Sequence, residues 1–225
     1  MKKISFRSLL GLTAVAAVAL SSLPAQAVPM LRLTDGTSTV TIGDGLAGDA
    51  NPATDIVTWI GSLGAWTVNV STGISERLPH IHLDLNSVNG NVGSTGPGTL
   101  TILFTDTGFS LDNLTTAAMG VGGVTSGSVA YSTYYDPNNT AFSTAIQLGS
   151  TLTGISGPFS SGTSDNVPAD AAFSLTQKAV ISHWAAGFTS FNYEILVPEP
   201  GTWALLTATL LGMGLAFRRR LWARF

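Results

Sequence analysis

His80, His82 and Asp84 stand at alternate positions, and they are the first place in this sequence where chemistry could be assembled. In an extended chain, side chains two apart share a face. Both imidazoles and the carboxylate therefore point one way, opposite Ile81, Leu83 and Leu85. Two imidazoles so spaced suit a transition-metal site if a third ligand comes from elsewhere. His183, closing a later apolar alternation, is the available third ligand. The plainer reading is preferred: a half-buried strand must show polar residues to water, and histidine serves that purpose. A second cluster follows Gly43, where Asp44, Asp49 and Asp55 gather with Asn51 in a glycine-containing stretch. Calcium takes its six to eight oxygens from flexible acidic loops of this kind. The spacing is not that of a helix-loop-helix calcium site, whose terminal glutamate is missing, and solvated turn acids are again the plainer alternative. No cofactor is expected, with calcium at the acidic stretch a possibility that the residues leave open.

Catalytic patterns are scarce. The chain has no cysteine, which excludes thiol nucleophiles, disulfides and cysteine-ligated zinc. It contains no Gly-x-Ser-x-Gly elbow, phosphate loop or zinc-binding helix. Ser182 next to His183 means little, because triad partners meet in space and not in sequence. Glu76, Glu194 and the aspartates lack any register that would pair them as glycosidase carboxylates. The expectation is a protein that is not an enzyme. Thr37, Thr39 and Thr41 form one short threonine ladder, the kind of array that flat ice-binding sheets use and ordinary strands also contain. Trp59, Trp66, Trp184, Tyr131, Tyr134 and Tyr135 could stack on sugar rings, with core packing the default for most of them.

The elements that must position these residues read as strands. Alternation is clearest in Leu100, Ile102, Phe104, in Phe173, Leu175, Gln177, Ala179, Ile181, and in Phe191, Tyr193, Ile195. Further strands are expected at 38–42, 56–60, 66–70, 80–85, 128–135 and 142–148, with turn signals at Thr72-Gly73, Asn89-Gly90, Gly96-Pro97-Gly98 and Asp136-Pro137-Asn138. The glycine-rich stretch 119–127 reads as a loop, and 158–172 as a second long connection. Nine or so short strands without a long 3.6-residue period imply an all-β domain, an antiparallel β-sandwich or jelly roll.

Both ends of the chain carry other signals. Lys2, Lys3 and Arg7 precede an apolar run at 9–20, then Ala25 and Ala27 in Ala-x-Ala spacing. This is a secretory signal peptide, cut by signal peptidase after Ala27. Its apolar run makes a helix of about 18 Å, short of the about 30 Å hydrocarbon core. At the other end, Pro198-Glu199-Pro200 precedes an apolar stretch at about 202–217 and then Arg218, Arg219 and Arg220. The prolines bar strand or helix continuation through the tripeptide. The apolar stretch sits at the lower limit for a membrane-spanning helix, and the arginines place its far end in the cytoplasm.

Pro-Glu-Pro, helix and arginine cluster in that order resemble the PEP-CTERM sorting signal of Gram-negative bacteria. The resemblance implies recognition by an exosortase, a membrane peptidase that cleaves near the tripeptide and passes the protein towards the surface. The same tail domain is also catalogued at the C-terminus of some ice-binding proteins. The extension Leu221 to Phe225 departs from the family's usual short end. The stretch 79–109 and the run from Phe173 to His183 are similar to ectodomains found with this signal, which implies domain limits and no activity.

Three regions follow: a signal peptide at 1–27, a β-sandwich ectodomain at 28–196 and the sorting signal at 197–225. Between the cleavage sites lie all 13 acidic residues but only Arg32, Arg77 and Lys178, a net charge of −10. That excludes nucleic acid and anionic membrane surfaces as partners, since both require basic patches. The expected protein passes through the inner membrane to the cell surface or extracellular polysaccharide matrix, with a structural or adhesive domain. The alternatives are a single-pass inner-membrane protein with a carbohydrate- or calcium-binding ectodomain, and a secreted glycan-active enzyme.

Overall fold

The structure is a computed structural model and describes residues 28–77, 80–86 and 92–198. The expected signal peptide with Ala25 and Ala27, and the sorting residues Glu199, Pro200, Arg218, Arg219 and Arg220, lie outside this range, while Pro198 closes it. Among the described residues no helix is long and apolar enough to cross a membrane; the span expected at 202–217 is outside them.

Among the described residues eleven strands form one antiparallel sheet: β1 (Met30–Thr34), β2 (Thr39–Gly43), β3 (Ile56–Leu63), β4 (Trp66–Glu76), β5 (Ile81–Asn86), β6 (Val92–Ser94), β7 (Gly98–Leu111), β8 (Thr115–Asp136), β9 (Ile146–Val167), β10 (Asp170–His183) and β11 (Gly187–Val197). Their order is β2-β1-β7-β10-β8-β11-β5-β4-β3, with β6 bridging β11 and β4, and β9 on the outside of β8. The all-β, antiparallel expectation holds. The alternating residues of β7 and β10 (Leu100, Ile102 and Phe104; Phe173, Leu175, Gln177, Ala179 and Ile181) are all fully buried. Each large apolar side chain so buried contributes roughly 1.5–3 kcal/mol.

The sheet curls because β8 turns a corner. Residues 118–125 pair with β11, whereas 128–136 pair with β10. The register breaks between Thr125 and Ser128, at Ser126-Gly127. A Cβ on Gly127 would lie 2.0 Å from the Ser182 carbonyl oxygen, so only glycine lets the backbones pass this closely. β9 follows β8 around the same corner, turning at Ser156 and Gly157, whose φ values are +32° and +109°. The β8–β9 ribbon therefore folds over like a staple, and two layers face each other across one core. β10 and β11 meet there through Gln177, whose Nε2 donates to the Tyr193 carbonyl at 2.7 Å. Gly73 of β4 leaves room for the Phe104 ring of β7, which a Cβ would meet at 2.2 Å.

Four sequence expectations are corrected, the first being the turn at Thr72-Gly73, which falls inside β4 with both residues paired to β3 and β5. The stretch 119–127 is strand and not loop: Ala117, Met119 and Val121 face the core while Gly120 and Gly122 take the outer positions. The connection expected at 158–172 is mostly strand as well, the second arm of β9 and the start of β10. Conversely, 142–148 is strand only from Ile146, because Asn139 and Phe142 hold positive φ values of 56° and 59° in a turn. β1 and β6 carry too short a pattern to have been read from sequence.

Candidate functional site

The two ends of β11 mark two distinct regions of the sheet. At its C-terminal end, Val197 pairs with Ile81 and Leu196 with Ala118, so the chain leaves from between two neighbours. His80, His82, Glu194, Met119, Gly120 and Leu196 line a cleft of about 290 Å³ beside this exit. His82 Nδ1 is 3.4 Å from Glu76 Oε2, and its Nε2 is 3.7 Å from Glu194 Oε2. The His80 ring centre is 6.2 Å from that of His82. The Asp84 carboxylate accepts from Asn86 Nδ2 at 3.1 Å through Oδ2, and its Oδ1 is buried without a hydrogen-bond partner. Burial, partly offset by Asn86 and His82, holds its carboxyl above the usual range.

His183 is not the third member of this group. It lies at the opposite end of the sheet, where Nδ1 meets Ser94 Oγ at 2.8 Å and Nε2 meets Thr189 Oγ1 at 2.9 Å. The Trp66 ring packs against it with centres 4.9 Å apart. Burial depresses its pKa. The register explains the separation: His183 pairs with Gly98 at the start of β7, whereas His82 pairs with Glu76 and Leu196. Alternation places residues on a face, but not at an end.

The acidic stretch behaves as a set of turn caps. Asp49 Oδ1 accepts the N–H groups of Asn51 at 3.0 Å and Thr58 at 2.9 Å, and its Oδ2 accepts that of Gly45 at 3.0 Å. Asp44 Oδ2 accepts the Asp55 N–H at 2.8 Å. Asp55 itself sits at φ +65° and offers its carbonyl to Ser75 N. Among the described residues no three His, Cys, Asp or Glu side chains are grouped to hold a metal ion. Nearby, the buried Asp106 carboxylate accepts from Ser75 Oγ, Arg77 and the Thr107 N–H, tying β4 to β7. Burial outweighs these bonds and raises its pKa.

Of the aromatics, Trp66, Tyr131 and Tyr135 are buried, Trp59 packs on the core and Tyr134 is half-buried. Trp184 is the exception at 62% exposed. Phe188, at 44%, was not singled out from sequence. The signal for it was present: aromatic residues bracket the short turn Ala185-Ala186-Gly187, where neither can reach a core. Thr37 falls in the β1–β2 turn, where its N–H donates to Asp35, leaving only Thr39 and Thr41 on β2.

Against known proteins, residues 196–220 match the PEP-CTERM protein-sorting motif. A search of curated proteins found no match. Among solved structures, the K1 cleaved adhesin domain of Lys-gingipain from Porphyromonas gingivalis W83 aligns with a TM-score of 0.34 and 14% identity, over 64% of this chain and 98% of that one. A structure described as CBM4 aligns at 0.33 and 14%, over 69% and 94%. TmCBM61, solved with β-1,4-galactotriose, aligns at 0.30 and 8%, over 65% and 90%. Scores this low carry no functional argument.

Proposed function

We propose that a chain whose last strand runs directly into a PEP-CTERM sorting motif is an exported precursor, and that its mature β-domain is a structural or adhesive component of the extracellular polysaccharide matrix. The junction carries this reading. β11 ends at Val197, and the motif match begins at residue 196, so no linker separates the folded domain from its address. Signal peptidase would cut after Ala27 and an exosortase near Pro198-Glu199-Pro200. Glu199 and its prolines are then recognised groups and not catalytic groups of this chain.

The short junction has a geometric consequence. Residues 198–201 can span at most about 14 Å when fully extended. In the membrane-held precursor the His82 end of the domain would therefore lie close to the bilayer. The net charge of −10 between the two cleavage sites favours release from an anionic surface once the tail is removed.

Intact mass spectrometry of protein recovered from the outer surface and medium of the producing cells tests the reading. The expected mass starts at Val28 and ends within 198–200, with any added glycan or lipid. Glu199→Ala should leave the chain in the membrane fraction. A surface protein whose mass runs through Phe225 would refute processing at the motif.

A further inference from the structure

The end of the sheet opposite the sorting motif carries the exposed aromatic surface, and we infer that it is a sugar-binding tip in which Trp184 and Phe188 stack on the apolar faces of a neutral polysaccharide. This deepens the matrix reading and rests on it. β11 starts at Gly187 and ends at Val197, a run of about 35 Å at strand rise. A domain held by its C-terminal end thus presents the turn 184–187 outward. Among the described residues, Trp184 and Phe188 are the only aromatics among the exposed large hydrophobics, and both flank this one turn. Ile155, 71% exposed, follows the β8–β9 ribbon to the same end, opposite Ser128.

The turn is held from beneath by buried groups. His183, the residue before Trp184, is fixed by Ser94 and Thr189, and Thr189 Oγ1 bonds Thr125 Oγ1 at 2.7 Å. Ser94 Oγ also reaches the Ala185 carbonyl at 3.4 Å. The Phe188 N–H donates to Ser126 Oγ at 3.2 Å. A platform fixed in advance loses little entropy when a ligand settles on it. Beside the turn lie Ser126, whose hydroxyl takes the Phe188 N–H, and Ser182, which precedes His183 and is bonded to the Thr99 hydroxyl at 2.9 Å.

Charge selects the ligand class. The Ser38 and Thr37 N–H groups hold the Asp35 carboxyl below the usual range, so the β1–β2 turn at this same end is anionic. Arg32, Arg77 and Lys178 are the only basic residues between the cleavage sites. Arg77 is committed to Asp106, and Arg32 lies over the Phe142 ring. An anionic polysaccharide would be repelled, whereas a neutral one offers C–H faces to the rings and hydroxyls to the rim.

Affinity electrophoresis of the full chain tests this, with hydroxyethyl cellulose and galactomannan as neutral probes and alginate as the anionic one. At least one neutral probe should retard the protein, and alginate should not. Trp184→Ala should weaken retardation about tenfold, as loss of one aromatic stack predicts. Phe188→Ala should have a smaller effect, and Trp184→Phe should restore most of the binding. Both side chains are exposed, so an unchanged melting temperature checks that the variants fold. Retardation that persists in the double alanine variant overturns the tip while leaving the matrix reading intact. No retardation by either neutral probe also overturns it. A double variant that merely dissociates a dimer in light scattering shows a self-association surface instead. Absence of the protein from the cell surface sinks the matrix reading, independently of what the purified protein binds.

Discussion

Two of the strands that pair on one side only, β3 and β9, have their outer edges closed by different means. Along β3, the loop from Asp44 to Asp55 covers the edge: Asp49 Oδ1 accepts the Thr58 N–H while Ala50 N donates to the Thr58 carbonyl. Along β9, which spans 22 residues, the strand closes on itself. Its two arms face each other past the Ser156-Gly157 turn, so the Gly149 N–H donates to Asp165 Oδ2 at 2.9 Å and the Ser150 N–H to Thr163 Oγ1 at 3.4 Å. An unpaired edge invites pairing with another chain. One edge is sealed by a separate loop and the other by side chains that the strand's own turn brings back against its backbone, so the two should fail under different insults.

The largest expected effect is at the corner. Gly127→Val drives a side chain into the Ser182 carbonyl and should cost on the order of 3 kcal/mol or more, read as a fall in the urea midpoint. If the midpoint holds, the corner is not what closes the β9 edge. Next comes Asp49→Ala, which strips three backbone N–H groups of their acceptor and should cost about 1–3 kcal/mol, with faster aggregation on heating. The unsubstituted protein treated with EDTA should melt unchanged. A drop of several degrees would instead assign Asp44, Asp49 and Asp55 to bound calcium.

A pH titration sharpens the contrast further. His183 is buried with a depressed pKa, so its contribution is complete above the unfolded value of about 6.5 and is lost as pH falls below it. Melting temperature should therefore drop between pH 7.5 and 5.5, and His183→Gln should flatten that drop. Asp84 and Asp106, both raised by burial, act with the opposite sign and favour the folded state as pH falls. The smallest effect belongs to Asp165. The N–H groups of Gly149 and Asn166 lower its pKa, so its contribution is complete above about pH 4 and fades only in stronger acid. Asp165→Asn should lower the melting temperature slightly above about pH 4 and match the unsubstituted protein in stronger acid; an offset that is equal at every pH would mean that this contact does not depend on charge.

The sequence disclosed the all-β class because β7, β10 and β11 place apolar residues at alternate positions over most of their length. It hid β8 and β9 for a physical reason. The outer positions of β8 are Gly120 and Gly122, and β9 is dominated by Ser, Thr and Gly, residues that usually mark turns. What makes them strands is the pairing of the two long arms with each other, which is not a local property. The acidic loop was legible as a loop, but its purpose was not, because Thr58, the group it serves, is nine residues beyond Asp49. The sorting motif was the most readable part, since a processing enzyme must also recognise it as a linear string. Trp184 stood out among the aromatics only once the other rings were seen to be buried.

The position of β11 determines how the domain answers a pull. Six of its residues pair with β5 and eight with β8, so it is flanked on both sides over most of its length. A load entering near Phe188 and leaving through Val197 runs along this one strand. Separating it requires both ladders to slide in shear together, a mode that resists force far better than peeling one hydrogen bond at a time. A tether fixed to an edge strand would open like a zip, whereas this one loads the middle of the sheet.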